Sequence, residues 1–155
     1  ADNRIVPDII RALLAGESIR LRNPDAIRPW QHVLEPLGAY LLLATRMQDD
    51  PQRYATALNV GPFPQDVLTV EQLTQVAIAR AGYGQYTREH KVDARHEAGN
   101  LQLDIQKAES LLQWTPRWSA TQSVQYTVDW YLDSAPASEK CQRQIHAYFD
   151  CAYES

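Results

Sequence analysis

The segments of this chain that alternate apolar with polar residues are short, and they are separated by stretches of helical period. They are Ile19–Leu21, Ile27–Val33 and the brief apolar run Ala57–Val60, which Gly61-Pro62 closes. Asn23-Pro24-Asp25 forms a turn between the first two, and Pro29 confines the second to a sheet edge or a strand start. A doubly wound sheet needs strand and crossover helix in regular succession. That succession is missing, so the pattern predicts an α/β or α+β unit of mixed helices and short strands without a complete parallel sheet.

Helical spacing fills the intervals. Pro7 suits a first turn, Ile9, Ile10, Leu13 and Leu14 form an apolar face, and Gly16 can take the left-handed conformation that stops a helix. A second helix starts at Leu34, with Leu37, Leu41, Ala44 and Met47 at helical period and Asp49-Asp50-Pro51 at its end. Thr69 with Gln72 and Ser119 with Gln122 have capping-box spacing. The first leads into Val70, Leu73, Val76 and Ala77 as far as Gly82, the second into Val124, Val128, Tyr131 and Leu132. Asp104 caps a helix through Lys107 and Leu111 that Thr115-Pro116 breaks, and a last helix puts Cys141, Ile145, Tyr148 and Phe149 on one side. Residues 83–99 are polar and weakly patterned.

A chain of 155 residues with 45% hydrophobic content supports one domain with a real core, so residues 1–155 read as a single unit. The net charge of −4 excludes a broad basic field of the kind that neutralises many phosphates, which argues against nucleic acid as a partner. No apolar run reaches the roughly 20 residues that span a bilayer, and no signal peptide opens the chain, so a cytoplasmic location is expected. Cys141 and Cys151 lie too far apart along one helix to bridge, which fits reduced thiols.

The missing motifs narrow the chemistry. There is no Gly-x-x-Gly-x-x-Gly or Gly-x-Gly-x-x-Gly turn to cradle a dinucleotide pyrophosphate. No tyrosine has a lysine four residues later, and neither Gly-x-Ser-x-Gly nor a Cys-x-x-Cys pair occurs. His32, His90, His96 and His146 lack metal-ligand spacing. A self-contained catalytic site, a cofactor site and a metal site are therefore not expected in this chain.

Arginine crowding is the positive signal. Arg20, Arg22 and Arg28 fall within nine positions, with Asn23, Trp30, Gln31 and His32 beside them. Guanidinium groups fork onto diphosphate oxygens, each charge-assisted bond contributing about 1.5 to 3 kcal/mol when partly shielded. The same spacing suits a solvated basic face. His96 in a polar loop can donate to a phosphate or sit bland at the surface. Asn3 and Arg4 before the first helix suit an anion at a helix N-terminus, though simple capping explains Asn3 equally well. Trp114, Trp118, Trp130 and Tyr131 read as core packing before a stacking platform.

Several of these segments resemble the C-terminal part of the CDP-glucose 4,6-dehydratases, extended short-chain dehydrogenase/reductase enzymes that act on nucleotide sugars. The resemblance is carried by residues 1–8 (Ala-Asp-Asn-Arg-Ile-Val-Pro-Asp) and by residues 22–37, from Arg-Asn-Pro through Gln-His-Val to Leu-Glu-Pro-Leu. His96-Glu97-Ala98, Leu103-Asp104, Lys107-Ala108, Trp114-Thr115-Pro116-Arg117-Trp118 and Thr127-Val128-Asp129-Trp130-Tyr131 extend it over nearly the whole chain. Gln113 stands where the family's Leu-Gly-Trp turn has glycine.

The resemblance implies a substrate-binding domain that lacks the N-terminal NAD-binding Rossmann half and, with it, the catalytic tyrosine and lysine. It implies an intact enzyme that oxidises glucose at C4 with bound NAD, eliminates water across C5 and C6, and returns the hydride to C6. In this chain it implies Arg28 against the diphosphate with His96 assisting, Asn3 near the phosphates, and Arg4, Arg20 and Arg22 as weaker base or phosphate contacts. It further implies that Ala57–Val60 belongs to a larger sheet. The partners expected are CDP-glucose or a related nucleotide sugar, and either a second copy of the chain or a separately encoded NAD-binding half. A free-standing nucleotide-sugar-binding or interaction module is the competing expectation.

Overall fold

The structure, a computed structural model, describes residues 4–89 and 100–150. Helix α1 (Ile5–Ala15) leads through a loop to strand β1 (Ile19–Leu21), and β2 (Ile27–Arg28) follows. Then come α2 (Leu34–Asp49), α3 (Pro51–Tyr54), β3 (Leu68–Thr69), α4 (Val70–Ala81), β4 (Tyr86–Arg88), a π-helical turn over Ala108–Leu112, α5 (Ala120–Leu132) and α6 (Ala137–Asp150). The strands form two separate ribbons: β1 runs parallel to β4, with Ile19 opposite Tyr86, and β2 antiparallel to β3, with Arg28 opposite Leu68. Mixed helices and short strands without a full sheet are what the pattern predicts.

The local signals act as their chemistry requires. Gly16 caps α1 at φ 68°, its N–H reaching back to Ala12 and Leu13 carbonyls. Thr69 and Ser119 each form a complete capping box with Gln72 and Gln122. Apolar residues of α1 (Ile9, Ile10, Leu13), β1 (Ile19, Leu21), α4 (Leu73, Ala77) and α5 (Val124, Val128) make the main core. A smaller cluster joins Ala39, Tyr54, Ala108, Leu112 and Trp114. Gly84, at φ 116°, leaves room for Leu13, whose Cδ2 would lie 2.5 Å from any Cβ placed there.

Several expectations need correction. The segment read as Ile27–Val33 pairs only at Ile27–Arg28, because Pro29 has no N–H for the ladder and the Trp30 N–H turns back to the Arg28 carbonyl at 2.9 Å. Ala57–Val60 is not a strand among the described residues. Side chains hold its carbonyls instead: Gln31 Nε2 donates to Val60 O at 3.0 Å and Lys107 Nζ to Ala57 O at 3.0 Å. The polar stretch after Tyr83 does contain a strand, β4. The helix expected from Asp104 to Leu111 is mostly the π-helical turn, closed by Gln113 at φ 56°, so glutamine takes the left-handed conformation natural to glycine.

Two helices bury less than their patterns suggest. In α2 the buried residues are Glu35 and Ala39, while Leu37, Leu41 and Met47 are exposed. On α6 only Tyr148 is buried, with Cys141, Ile145 and Phe149 outside, and Cys151 lies beyond the described residues. No helix among the described residues is long and apolar enough to cross a membrane.

Candidate functional site: an arginine groove beside a fixed loop

Strand β1 points Ile19 and Leu21 inward and Arg20 outward, as a period of two demands. Arg20 and Arg22 line a shallow groove of about 510 Å³ with Asp8, Arg11 and Ala12 of α1 and with Glu17 and Ser18. Arg11 is paired with Asp8. Arg28 sits on the other ribbon, half-buried, and donates from Nη1 to the Ile27 carbonyl at 2.8 Å. The arginines crowded in sequence therefore divide between a groove against α1 and the β2–β3 ribbon.

The loop between them is held firmly. Val70 N and Glu71 N, at the start of α4, donate to the Ala26 and Pro24 carbonyls, both at 2.9 Å. Arg88 on β4 reaches across to Glu71 (2.8 and 2.5 Å) and to Asp25 (3.3 Å), and Tyr86 Oη donates to Glu71 at 3.0 Å. The hydrogen bonds that Arg88 donates to Glu71 lower the Glu71 pKa and raise the Arg88 pKa. Sequence reasoning missed Arg88, since its partners are distant along the chain and three residues of β4 are too few to show a period.

The remaining candidates fall as follows. Arg4 is exposed at the N-cap of α1 and makes no side-chain cap, its carbonyl accepting from Asp8 N at 3.0 Å. Asn3 and His96 lie outside the described residues. Asn100 forms a parallel bridge with Ile27, and Leu101 N donates to the Ile27 carbonyl at 3.2 Å, so the chain resumes next to Arg28.

Behind Arg28 the chain runs through Trp30, whose Nε1 donates to Leu68 O at 2.8 Å, into a buried polar centre. Glu35 is fully buried, and its carboxylate accepts from Arg117 N (3.0 and 3.2 Å), Trp118 N (2.8 Å) and Tyr148 Oη (2.9 Å). Burial and the Glu35 charge push the Tyr148 pKa up. His32 packs edge-on against Trp118 with centroids 4.9 Å apart, and its Nδ1 accepts from Leu34 N at 3.3 Å. Burial lowers its pKa below the ordinary histidine value, opposed by a hydrogen bond with Gln144. Trp114 and Trp118 are core residues as expected, whereas Trp130 is half-buried under Lys140 and Tyr131 is exposed. The Glu35 carboxylate is fully engaged in holding this centre together, while Trp118 Nε1 is buried there without a partner among the described residues. The signal for this centre was the Leu-Glu-Pro-Leu run, with a carboxylate among apolar neighbours.

The one place among the described residues where a strand runs directly into a helix does not fit a dinucleotide. There, at β3–α4, Thr69 and Gln72 cap the helix N-terminus and no glycine turn opens toward a pyrophosphate. Among the described residues no cluster of three or more His, Cys, Asp or Glu could hold a metal.

No family model matches the chain. It is 36% identical over 131 residues to CDP-glucose 4,6-dehydratase of Salmonella typhimurium, a match covering 84% of this chain and 36% of that enzyme. A dTDP-glucose 4,6-dehydratase from Bacillus anthracis, solved with NAD, superposes with TM-score 0.64 at 20% identity, over 83% of this chain and 39% of that one. A UDP-glucuronic acid 4-epimerase from Bacillus cereus, solved with UDP-glucuronic acid and NAD, gives 0.66 at 14% identity, over 83% and 40%. These two likenesses establish the fold alone, and the chain spans well under half the length of each relative. The chain shares part of the fold of these nucleotide-sugar dehydratases and epimerases, and by sequence it is similar to CDP-glucose 4,6-dehydratase over about a third of that enzyme's length.

Proposed function

We propose that this chain is the nucleotide-sugar-holding portion of a CDP-glucose 4,6-dehydratase-like lyase and is inactive by itself. The observation that carries the reading is the 36% identity over 84% of the chain, a span that takes in Arg28 and the run to Leu37. The geometry supports it in a second way. Arg20 and Arg22 border one groove, Arg28 ends strand β2 of the neighbouring ribbon, and the loop joining them is pinned to α4, so their separation is preset before any ligand arrives.

In this reading Arg28 meets the diphosphate, with His96 assisting. Asn3 contacts the sugar nucleotide near its phosphates, and Arg4, Arg20 and Arg22 supply further base or phosphate contacts. The remainder of such an enzyme brings NAD and the acid/base groups that turn CDP-glucose into CDP-4-keto-6-deoxyglucose. This chain contributes binding and orientation only.

A second reading, an interaction module, is favoured by one observation: Val33, Leu37, Tyr40, Leu41 and Met47 leave a largely exposed apolar stripe along α2. Its occupant is then an NAD-binding portion or a second copy of the chain.

Calorimetric titration with CDP-glucose tests the first reading. Saturable heat, weakened about ten- to hundredfold by Arg28→Ala, is the expected result. Absence of heat with the wild-type chain, or equal affinity in the variant, contradicts it.

A further inference from the structure

The inner faces of α1, α4 and α5 do not close completely on one another. Between Val6 and Ile9 on one side, Leu73 and Val124 on the other, and Trp30-Gln31 at the end lies a cavity of about 240 Å³. An apolar cavity of about 150 Å³ already takes benzene, so this one has room for a bicyclic ring. No charged side chain lines it, and a charged guest would lose its hydration without compensation.

Two polar groups on its wall have no partner among the described residues. Gln31 Nε2 donates to Val60 O at 3.0 Å, which fixes the rotation of the amide and leaves Oε1 as a buried acceptor without a donor. Ser123 is 3% exposed, and its Oγ is likewise unpartnered. The third polar side chain on the wall is already engaged, Thr127 Oγ1 donating to the Ser123 carbonyl at 2.8 Å. A buried polar atom without a partner is costly, so a guest that supplies the missing donor gains more than one that only fills space.

We infer that this cavity is a binding site for a small, neutral aromatic molecule carrying an N–H or O–H donor, held by aliphatic walls and by Gln31 Oε1 and Ser123 Oγ. None of the residues assigned to nucleotide-sugar binding lines it, so the site stands or falls apart from that reading.

The test is methyl NMR on the full 155-residue chain, titrated with indole and, separately, with indene, which has the same shape and no N–H. Saturable shifts at Ile9, Ile10, Leu73 and Val124 with indole, and binding of indene at least about fivefold weaker, are expected. Ala77→Leu, which fills the cavity from α4, is expected to abolish both, and Ser123→Ala to weaken indole while sparing indene. Shifts that never saturate, shifts confined to other methyls, equal affinity for the two rings, or undiminished binding in a cooperatively melting Ala77→Leu chain would each overturn the proposal. The comparison of the two rings on the wild-type chain decides the matter if the leucine variant does not fold.

Discussion

Leu13 and Leu41 both occupy helical positions at apolar period, yet Leu13 is 2% exposed and Leu41 is 64% exposed. The difference separates two regions. Around α1, α4 and α5 each apolar face meets another, and β1 closes the layer from the side. Along α2 the apolar stripe faces outward, and the helix is tied down instead by the buried Glu35 and Ala39. One region is a core closed apart from the cavity among α1, α4 and α5, and the other is anchored by a polar centre while its apolar surface is left for something else. Periodicity tells that a helix has an apolar face without telling what the face meets.

The sharpest way to break this comparison is to make the same truncation in both regions. Leu13→Ala should destabilise the chain by about 3 to 5 kcal/mol in urea unfolding, and Leu41→Ala by no more than about 0.5 kcal/mol. Equal losses would mean that α2 is covered in solution. Glu35→Ala probes the polar anchor. Leaving the Arg117 and Trp118 N–H groups and the Tyr148 hydroxyl without their acceptor should cost on the order of 3 kcal/mol, with Glu35→Gln losing less.

A smaller effect follows from His32. Its folded pKa lies below the ordinary 6.5 because burial disfavours the cation. As pH falls below 6.5 the unfolded chain takes up a proton that the folded chain refuses, so stability is full above that pH and declines below it. His32→Asn, which keeps an acceptor for Leu34 N, should flatten the slope in pH-dependent melting. The smallest effect is expected at Gln113, where glycine relieves the left-handed strain at some entropic cost. Gln113→Gly should raise stability by about 0.5 to 1 kcal/mol in urea unfolding.

How much of this was legible in the sequence depended on whether the signal was local. Gly16 and the two capping boxes work through neighbours a few residues away, and they define α1, α4 and α5 where the pattern puts them. The parallel pairing of β1 with β4 joins residues more than sixty positions apart through strands of three residues, too short for any period to register. Ala57–Val60 had strand composition but finds no ladder among the described residues, since a strand exists only by its partner. Within the site, the crowding of Arg20, Arg22 and Arg28 was plain, but their division between two ribbons was not. It depends on Pro24 and Ala26 offering carbonyls to α4. Arg88 was invisible for the same reason, with Glu71 and Asp25 both far away in sequence.

The most direct test of the account is amide hydrogen exchange on this chain with and without saturating CDP-glucose. Exchange should slow from β1 through β2 and in the first turn of α1, with the outer face of α2 unchanged. Protection centred on α2, or no ligand-dependent protection anywhere, would contradict a chain whose role is to hold the nucleotide sugar.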